Sequence, residues 1–231
     1  MDGKYLADRI LSFYKKLKPD FPLPEGVEVM NPFDDETATT VAARFYQCYY
    51  DDTNPRVILF GINPGRFGAG VTGVPFTDPI RLQEVCGIVN NFDKKPELSS
   101  EFIYEVVDAY GGPKSFYDHF YVSAVCPLGF TKDGKNLNYY DDKQLSKDSE
   151  EFIIETIREQ IRIVDSPDIS FCIGQGSNYK HFLKLNERAE LFKHIEPLPH
   201  PRWVMQYRRK KKDHFIKLYI DHLKPTVNER L

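Results

Sequence analysis

Residues 57–76 read VILFGINPGRFGAGVTGVPF. The unbroken apolar run from Val57 to Phe60 suits a strand buried on both faces, and such strands occur in parallel sheets covered by helices. A strand is therefore predicted over 57–62. The stretch that follows is rich in glycine and carries Pro64 and Pro75. Glycine allows positive φ or a close backbone approach, and proline stiffens the turn. Neither GxxxxGK[ST] nor GxGxxG is present, so the phosphate-binding spacings do not apply. A rigid loop holding one amide, Asn63, and one aromatic ring, Phe76, suits a planar ligand. Asn63 could position a water or a ring edge, and Phe76 could stack on a base. The same residues would also serve a plain strand-to-helix turn with a capping Asn and a core Phe.

Working outward, helical periodicity predicts helices over 5–17, 36–50, 79–89, 101–109, 149–164, 177–191 and 213–223. Asp148 and Glu151 have capping-box spacing ahead of the 149–164 helix. Further buried strands are predicted over 120–128, 168–174 and 192–198. Residues 129–142 and 199–212 read as loops. Strands alternate with helices, which gives an α/β chain, a three-layer α/β/α arrangement around a mostly parallel four-stranded sheet. No composition break divides the 231 residues, so one domain over 1–231 is expected. In open parallel sheets the ligand crevice lies beyond the carboxyl ends of the strands. That rule places the loops 61–76, 126–138 and 199–212 on one edge.

The whole-chain numbers bound the partners. A net charge of −3 and a pI of about 6.1 argue against bulk nucleic-acid binding but hide local clusters. Apolar content of 41% is enough for a sizeable core, and the 14% of aromatic residues can serve cores or base stacking. Cys48, Cys86, Cys126 and Cys172 have no CxxC spacing, so no zinc or iron–sulfur site and no disulfide framework is expected. No metal or cofactor is implied. There is no apolar leader and no run long enough to span a bilayer, so a cytoplasmic protein without membrane partners is expected.

The third loop adds His200, Pro201, Arg202 and Trp203, then the basic run Arg208, Arg209, Lys210, Lys211 and Lys212. A lone His or a basic run usually means little. Together on the crevice edge, a His reaching the ligand, an apolar wedge of Trp203, Val204 and Met205, and a basic stripe are parts that a DNA-invading loop requires.

Several segments carry a family likeness. GINPGRFG followed by TGVPF resembles the first motif of the uracil-DNA glycosylase superfamily, in particular its single-strand-selective monofunctional branch, where the pattern is GMNPGPFG and TGVPF. MNPF resembles the YNP segment, VCPLGFTKDGKNL the LCPL…GRNL segment, CIGQGSNYKHFLK the VGVGR helix, and LPHPRW the LHPSPR motif. The order is preserved from about residue 27 to 223. The resemblance implies a monofunctional DNA glycosylase that removes uracil and related deaminated or oxidised bases and leaves an abasic site. Asn63 would position the attacking water and His200 would stabilise the departing base. Gly61, Ile62, Pro64, Gly65, Phe76 and Ala124 would line the base pocket. Arg202, Trp203, Met205, Arg208, Arg209, Lys210 and Lys211 would meet single- or double-stranded DNA, and a monomer is expected. The likeness also makes Gly174 and Gly176 a tight strand-to-helix turn. Two positions depart from the pattern. HPSPR is here His200-Pro201-Arg202-Trp203, so a reshaped wedge is expected. The branch carries an Asn two residues before the Cys of CPL to read the uracil edge, and this chain has Ala124. Ser123 is a poor substitute, because adjacent strand residues point to opposite faces. That substitution leaves an alternative open, a nucleic-acid-binding member without catalysis. An unrelated nucleotide-binding or small-molecule α/β protein is a third reading.

Overall fold

The structure is a computed structural model that describes residues 4–166 and 168–228. In chain order its elements are α1 (Leu6–Lys16), β1 (Val27–Met30), α2 (Glu36–Tyr49), β2 (Val57–Gly61), α3 (Ala69–Thr72), α4 (Pro79–Glu84), α5 (Leu98–Tyr110), α6 (Gly112–Tyr117) and β3 (Phe120–Ala124). There follow β4 (Gly129–Lys132), β5 (Lys135–Leu137), α7 (Lys143–Asp148), α8 (Glu150–Val164), β6 (Ile169–Ile173), α9 (Ser177–Ala189), β7 (His194–Leu198), α10 (Pro201–Tyr207) and α11 (Lys212–Asn228). The central sheet has the order β3-β2-β6-β7 with every pair parallel, and helices flank it in the expected three-layer arrangement. Every residue of β2 and β3 is buried, as their apolar composition requires. The pair Gly61 and Ala124 ends that ladder level, and Ile173 pairs with Leu198 on the other side. The four carboxyl ends thus open onto one edge.

Residues 129–137, expected as polar loop, instead form a hairpin that pairs with β1 in a second, antiparallel sheet of order β1-β4-β5. Lys132 pairs with Lys135, so Asp133 and Gly134 are its whole turn, with φ 52° and 66°. An Asp-Gly pair with both residues at positive φ is the turn that suits the twist of two antiparallel strands. Residues 201–207, also expected as loop, form α10, started by Pro201 at its first position, where proline's fixed φ and missing N–H are harmless. The helix expected over 79–89 ends at Glu84, short of Gly87 at φ 70°. The capping box of Asp148 and Glu151 does not form. Asp148 closes α7, and the Ser149 hydroxyl donates to Leu145 O at 2.7 Å instead.

Much of the aromatic content is core. Phe45, Tyr46, Tyr49, Tyr50 and Tyr117 pack edge to face or tilted, with the Phe45 ring 5.0 Å from both Tyr49 and Tyr117. Arg56 is buried beside them, and its guanidinium is satisfied by Asp52 at 2.7 Å, Tyr117 O at 2.7 Å and Asn54 O at 2.8 Å. A buried charge left unpaired would cost several kcal/mol, so this set is needed as a whole. All four cysteines are free thiols, three of them buried. Among the described residues no helix is long and apolar enough to cross a membrane.

Candidate active site

The carboxyl ends of β2 and β3 open into a cavity of about 250 Å³. It collects Gly61, Ile62, Asn63, Pro64, Gly65 and Phe76 from the first loop singled out in the sequence, Ala124 from the end of β3, and His200 and Arg202 from the third loop, while the second loop contributes Asn136 and Asn138. Gly61 is required by the ring beside it. A Cβ at that position would lie 2.8 Å from Phe76 Cε2, closer than carbon atoms approach. Phe76 itself has φ 53°, a left-handed backbone that costs a non-glycine residue roughly 1–2 kcal/mol and persists only where its surroundings enforce it. That backbone sets the ring against the strand end, with its centroid 6.4 Å from the His200 ring.

His200 is the N-cap of α10, and its Nδ1 accepts from the Arg202 backbone N–H at 3.2 Å. An Nδ1 that accepts carries no proton, so the neutral imidazole keeps its proton on Nε2. Burial, and after it the Arg202 guanidinium, pull the pKa of His200 down to about 4. Both effects disfavour a second positive charge. At neutral pH the ring is therefore a neutral Nε2–H donor on the cavity wall. Gly174, at φ 128°, turns the chain after β6 in a conformation that favours glycine, and a Cβ there would be in ordinary contact with His200 Cδ2 at 3.5 Å.

Asn63 is held from outside the motif. Its Nδ2 donates to Leu137 O at 3.2 Å, and its Oδ1 accepts from Tyr139 N at 3.3 Å. Arg66 N donates to Asn136 Oδ1 at 3.2 Å, and the Arg66 guanidinium bonds Gly134 O. The hairpin thus fixes the glycine-rich loop in place. Asn178, buried, donates to Gly61 O at 3.4 Å and accepts from Tyr139 OH at 3.1 Å, joining the strand end to the same segment. Ala124 lines the cavity, while the hydroxyl of the neighbouring Ser123 is engaged with Gln160 of α8.

Sequence reasoning missed Glu97, Ser99, Asn136 and Asn138 on the cavity wall. Asn136 lay in a segment whose Asp-Gly turn would have marked a hairpin. Glu97 carries no local signal, since only tertiary packing brings it to the cavity. Its carboxyl is pushed up to about 7, chiefly by burial and then by Asp78, with Arg202 pulling the other way. The folded state therefore holds this proton more tightly than the unfolded chain does. The stability it contributes is fully present below about pH 4.5 and is lost as pH rises through 7. Glu97→Gln removes the ionisation. In urea melts the variant is expected to be the more stable protein at pH 8, by up to about 3 kcal/mol, with the gap closing towards pH 5. A gap that does not change with pH would mean that Glu97 does not titrate in this range.

The expected DNA-binding residues separate into two groups. Arg202 lines the cavity, and Trp203 is exposed with the Arg208 guanidinium 5.1 Å over its ring. Met205, expected on the wedge, is instead 3% exposed, because α10 turns Val204 and Met205 into the core. In the basic run, Arg209 pairs with Glu101 at 3.0 Å and Lys212 with Glu105 at 2.7 Å, both acids on α5. Lys210 and Lys211 are exposed and form no ion pair among those observed.

Four similarities accompany this geometry. The family model of the uracil DNA glycosylase superfamily matches residues 48–224. The single-strand selective monofunctional uracil-DNA glycosylase of Rattus norvegicus is 32% identical over 52% of this chain and 49% of its own length. The corresponding Mus musculus protein is 31% identical over 51% and 47%. The chain thus spans about half the length of these curated relatives. The crystal structure of wild-type Pedobacter heparinus SMUG2 superposes with a TM-score of 0.95 at 43% identity, covering 98% of this chain and 100% of that one.

Proposed function

Because the chain belongs to the uracil DNA glycosylase superfamily, on its single-strand-selective monofunctional branch, we propose that it hydrolyses the N-glycosidic bond of uracil and other deaminated bases in DNA and leaves an abasic site. The observation that carries this reading is His200. Its Nδ1 is committed to the helix cap, so a neutral Nε2–H is left on the wall of a cavity whose other side is the Phe76 ring. An enzyme working on a base in DNA takes that base out of the stack. The flipped base then lies against Phe76. The glycosidic bond breaks with positive charge growing on the sugar, and the base departs as an anion. A fixed donor aimed at a developing oxyanion is worth most in a site that excludes water. Asn63, clamped by the hairpin, orients the attacking water. Among the described residues the cavity wall contains no lysine, in keeping with hydrolysis and not Schiff-base chemistry. The protein acts as a monomer on DNA in the cytoplasm.

The test is a panel of oligonucleotides carrying uracil, hydroxymethyluracil, hypoxanthine or xanthine, single- and double-stranded, scored for released base and abasic sites. No release from any of them, with DNA binding intact, would favour the non-catalytic reading to which Ala124 lends weight.

Ala124 also sets an expectation for selectivity. A site built to hydrogen-bond a base rejects other bases because they leave buried polar atoms unpaired. A methyl group imposes no such penalty. Ala124→Asn is expected to raise the single-turnover rate on uracil relative to hypoxanthine or xanthine by about tenfold, the lower part of the ~1–3 kcal/mol range for such a contact. A folded variant with an unchanged ratio would place base reading elsewhere in the cavity.

The exposed lysines are expected to supply phosphate contacts. Lys210→Glu with Lys211→Glu should weaken DNA binding and flatten its salt dependence, since each lost phosphate contact releases fewer counterions. Arg209→Glu additionally sets a carboxylate against Glu101, so its effect mixes folding with binding. Unchanged affinity and salt slope in the double lysine variant would make these residues solvated surface.

A further inference from the structure

A second cavity, about 400 Å³, adjoins the first and shares Glu97, Ser99, Asn136 and Arg202 with it. Its remaining wall includes Arg66, Phe67, Pro96 and Lys135. Phe67 is 44% exposed, a large ring left in water at the tip of the glycine-rich loop. The Arg66 guanidinium lies 4.8 Å over that ring. The loop tip is held by the bonds from Arg66 to Asn136 and Gly134 of the hairpin, so the ring is presented without having to be ordered. Among the described residues, Arg66, Lys135 and Arg202 form none of the observed ion pairs with carboxylates. In this they differ from Arg209 and Lys212, whose charges are met by α5.

We propose that this groove binds the nucleotide next to the flipped one, its base stacked on Phe67 and its phosphates met by Arg66, Lys135 and Arg202. The proposal rests on the DNA-glycosylase reading and adds to it a second, sequence-tolerant subsite. A nucleotide has a flat apolar face and a charged backbone, and the groove offers an exposed ring flanked by three cations that form none of the observed salt bridges, with Arg202 also beside the Glu97 carboxyl. Stacking of this kind does not discriminate between bases, because every base has a π-face. The shared wall makes the two occupants successive units of one strand. The neighbour can reach Phe67 only after leaving its own stack, which a single strand allows at much lower cost than a duplex. The groove therefore favours single-stranded substrate.

The test is a double-mutant cycle between protein and DNA, read as affinity by fluorescence anisotropy. Wild type and Phe67→Ala are titrated with single strands carrying one damaged base, in which the 5′ or the 3′ neighbour is either a normal nucleotide or an abasic linker. Removing one of the two neighbouring bases is expected to weaken wild-type binding about tenfold. Phe67→Ala is expected to lose about as much on the intact strand and nothing further on the strand lacking that base. Additive losses, or no loss from Phe67→Ala on either strand, would overturn the proposal. Because Phe67 is exposed, its replacement leaves the core untouched. Base release is measured separately on the same strands. A wild-type protein that releases no base would refute the glycosylase reading, while the affinity cycle would still report on the groove.

Discussion

Replacing His200 with alanine is expected to slow base release by about 10²–10³-fold in single turnover, with affinity for DNA little changed. The ring contributes most when negative charge has gathered on the leaving base, so its loss falls on the chemical step and not on binding. Alanine also removes the N-cap of α10, which is worth about 1 kcal/mol. His200→Asn separates the two effects, because an Asn can cap the helix but carries no imidazole. It should melt close to wild type and still be slow. The low pKa adds a second readout. With the ring neutral from about pH 5 upward, the rate is not expected to fall between pH 5 and 8 through titration of His200. A wild-type rate in His200→Asn would remove the ring from the mechanism.

Asn63→Ala is expected to slow release by about 10²-fold or more, the scale of losing the correct placement of a reacting group. An amide is no general base at neutral pH, so what is lost is orientation of the water. Alanine also frees Leu137 O and Tyr139 N, and with them the grip of the hairpin on the loop. The comparison that isolates chemistry is therefore rate against melting temperature. A large fall in rate with a small fall in stability supports the assigned role, and equal behaviour to wild type in both would refute it.

The parts of the site that could be read in the sequence are those carried by local pattern. Val57 to Phe60 announced a central strand by composition alone, and the rule of carboxyl-end crevices then drew Asn63 and His200 to one edge, while Ala124 was singled out only by the family likeness. The parts that could not be read depend on packing. Nothing near Glu97 in the chain shows that it will face Phe76 and His200, since its position is set by how α5 meets the sheet. Met205 was misplaced because a loop was expected where Pro201 begins a helix, and a helix has an inner face. The basic run looked uniform, yet two of its members are paired with Glu101 and Glu105 from a segment more than a hundred residues earlier. In these cases the residue type was informative and its partner was invisible.

The clamp between the glycine-rich loop and the hairpin has a consequence for how the protein opens. Asn63 and Leu137 are separated by 74 positions in the chain yet share a hydrogen bond. Gly70 and Gly129 both leave room for the same side chain, Met30, whose sulfur and methyl would meet a Cβ at 2.5 Å at each. Segments tied at so many points do not fray one at a time. Backbone amides of 62–72 and of 129–139 are therefore expected to exchange with deuterated water as one cooperative unit, with a common opening free energy below that of the central sheet. Weakening the Asp133-Gly134 turn, at the far end of the hairpin, would then speed exchange in the glycine-rich loop itself.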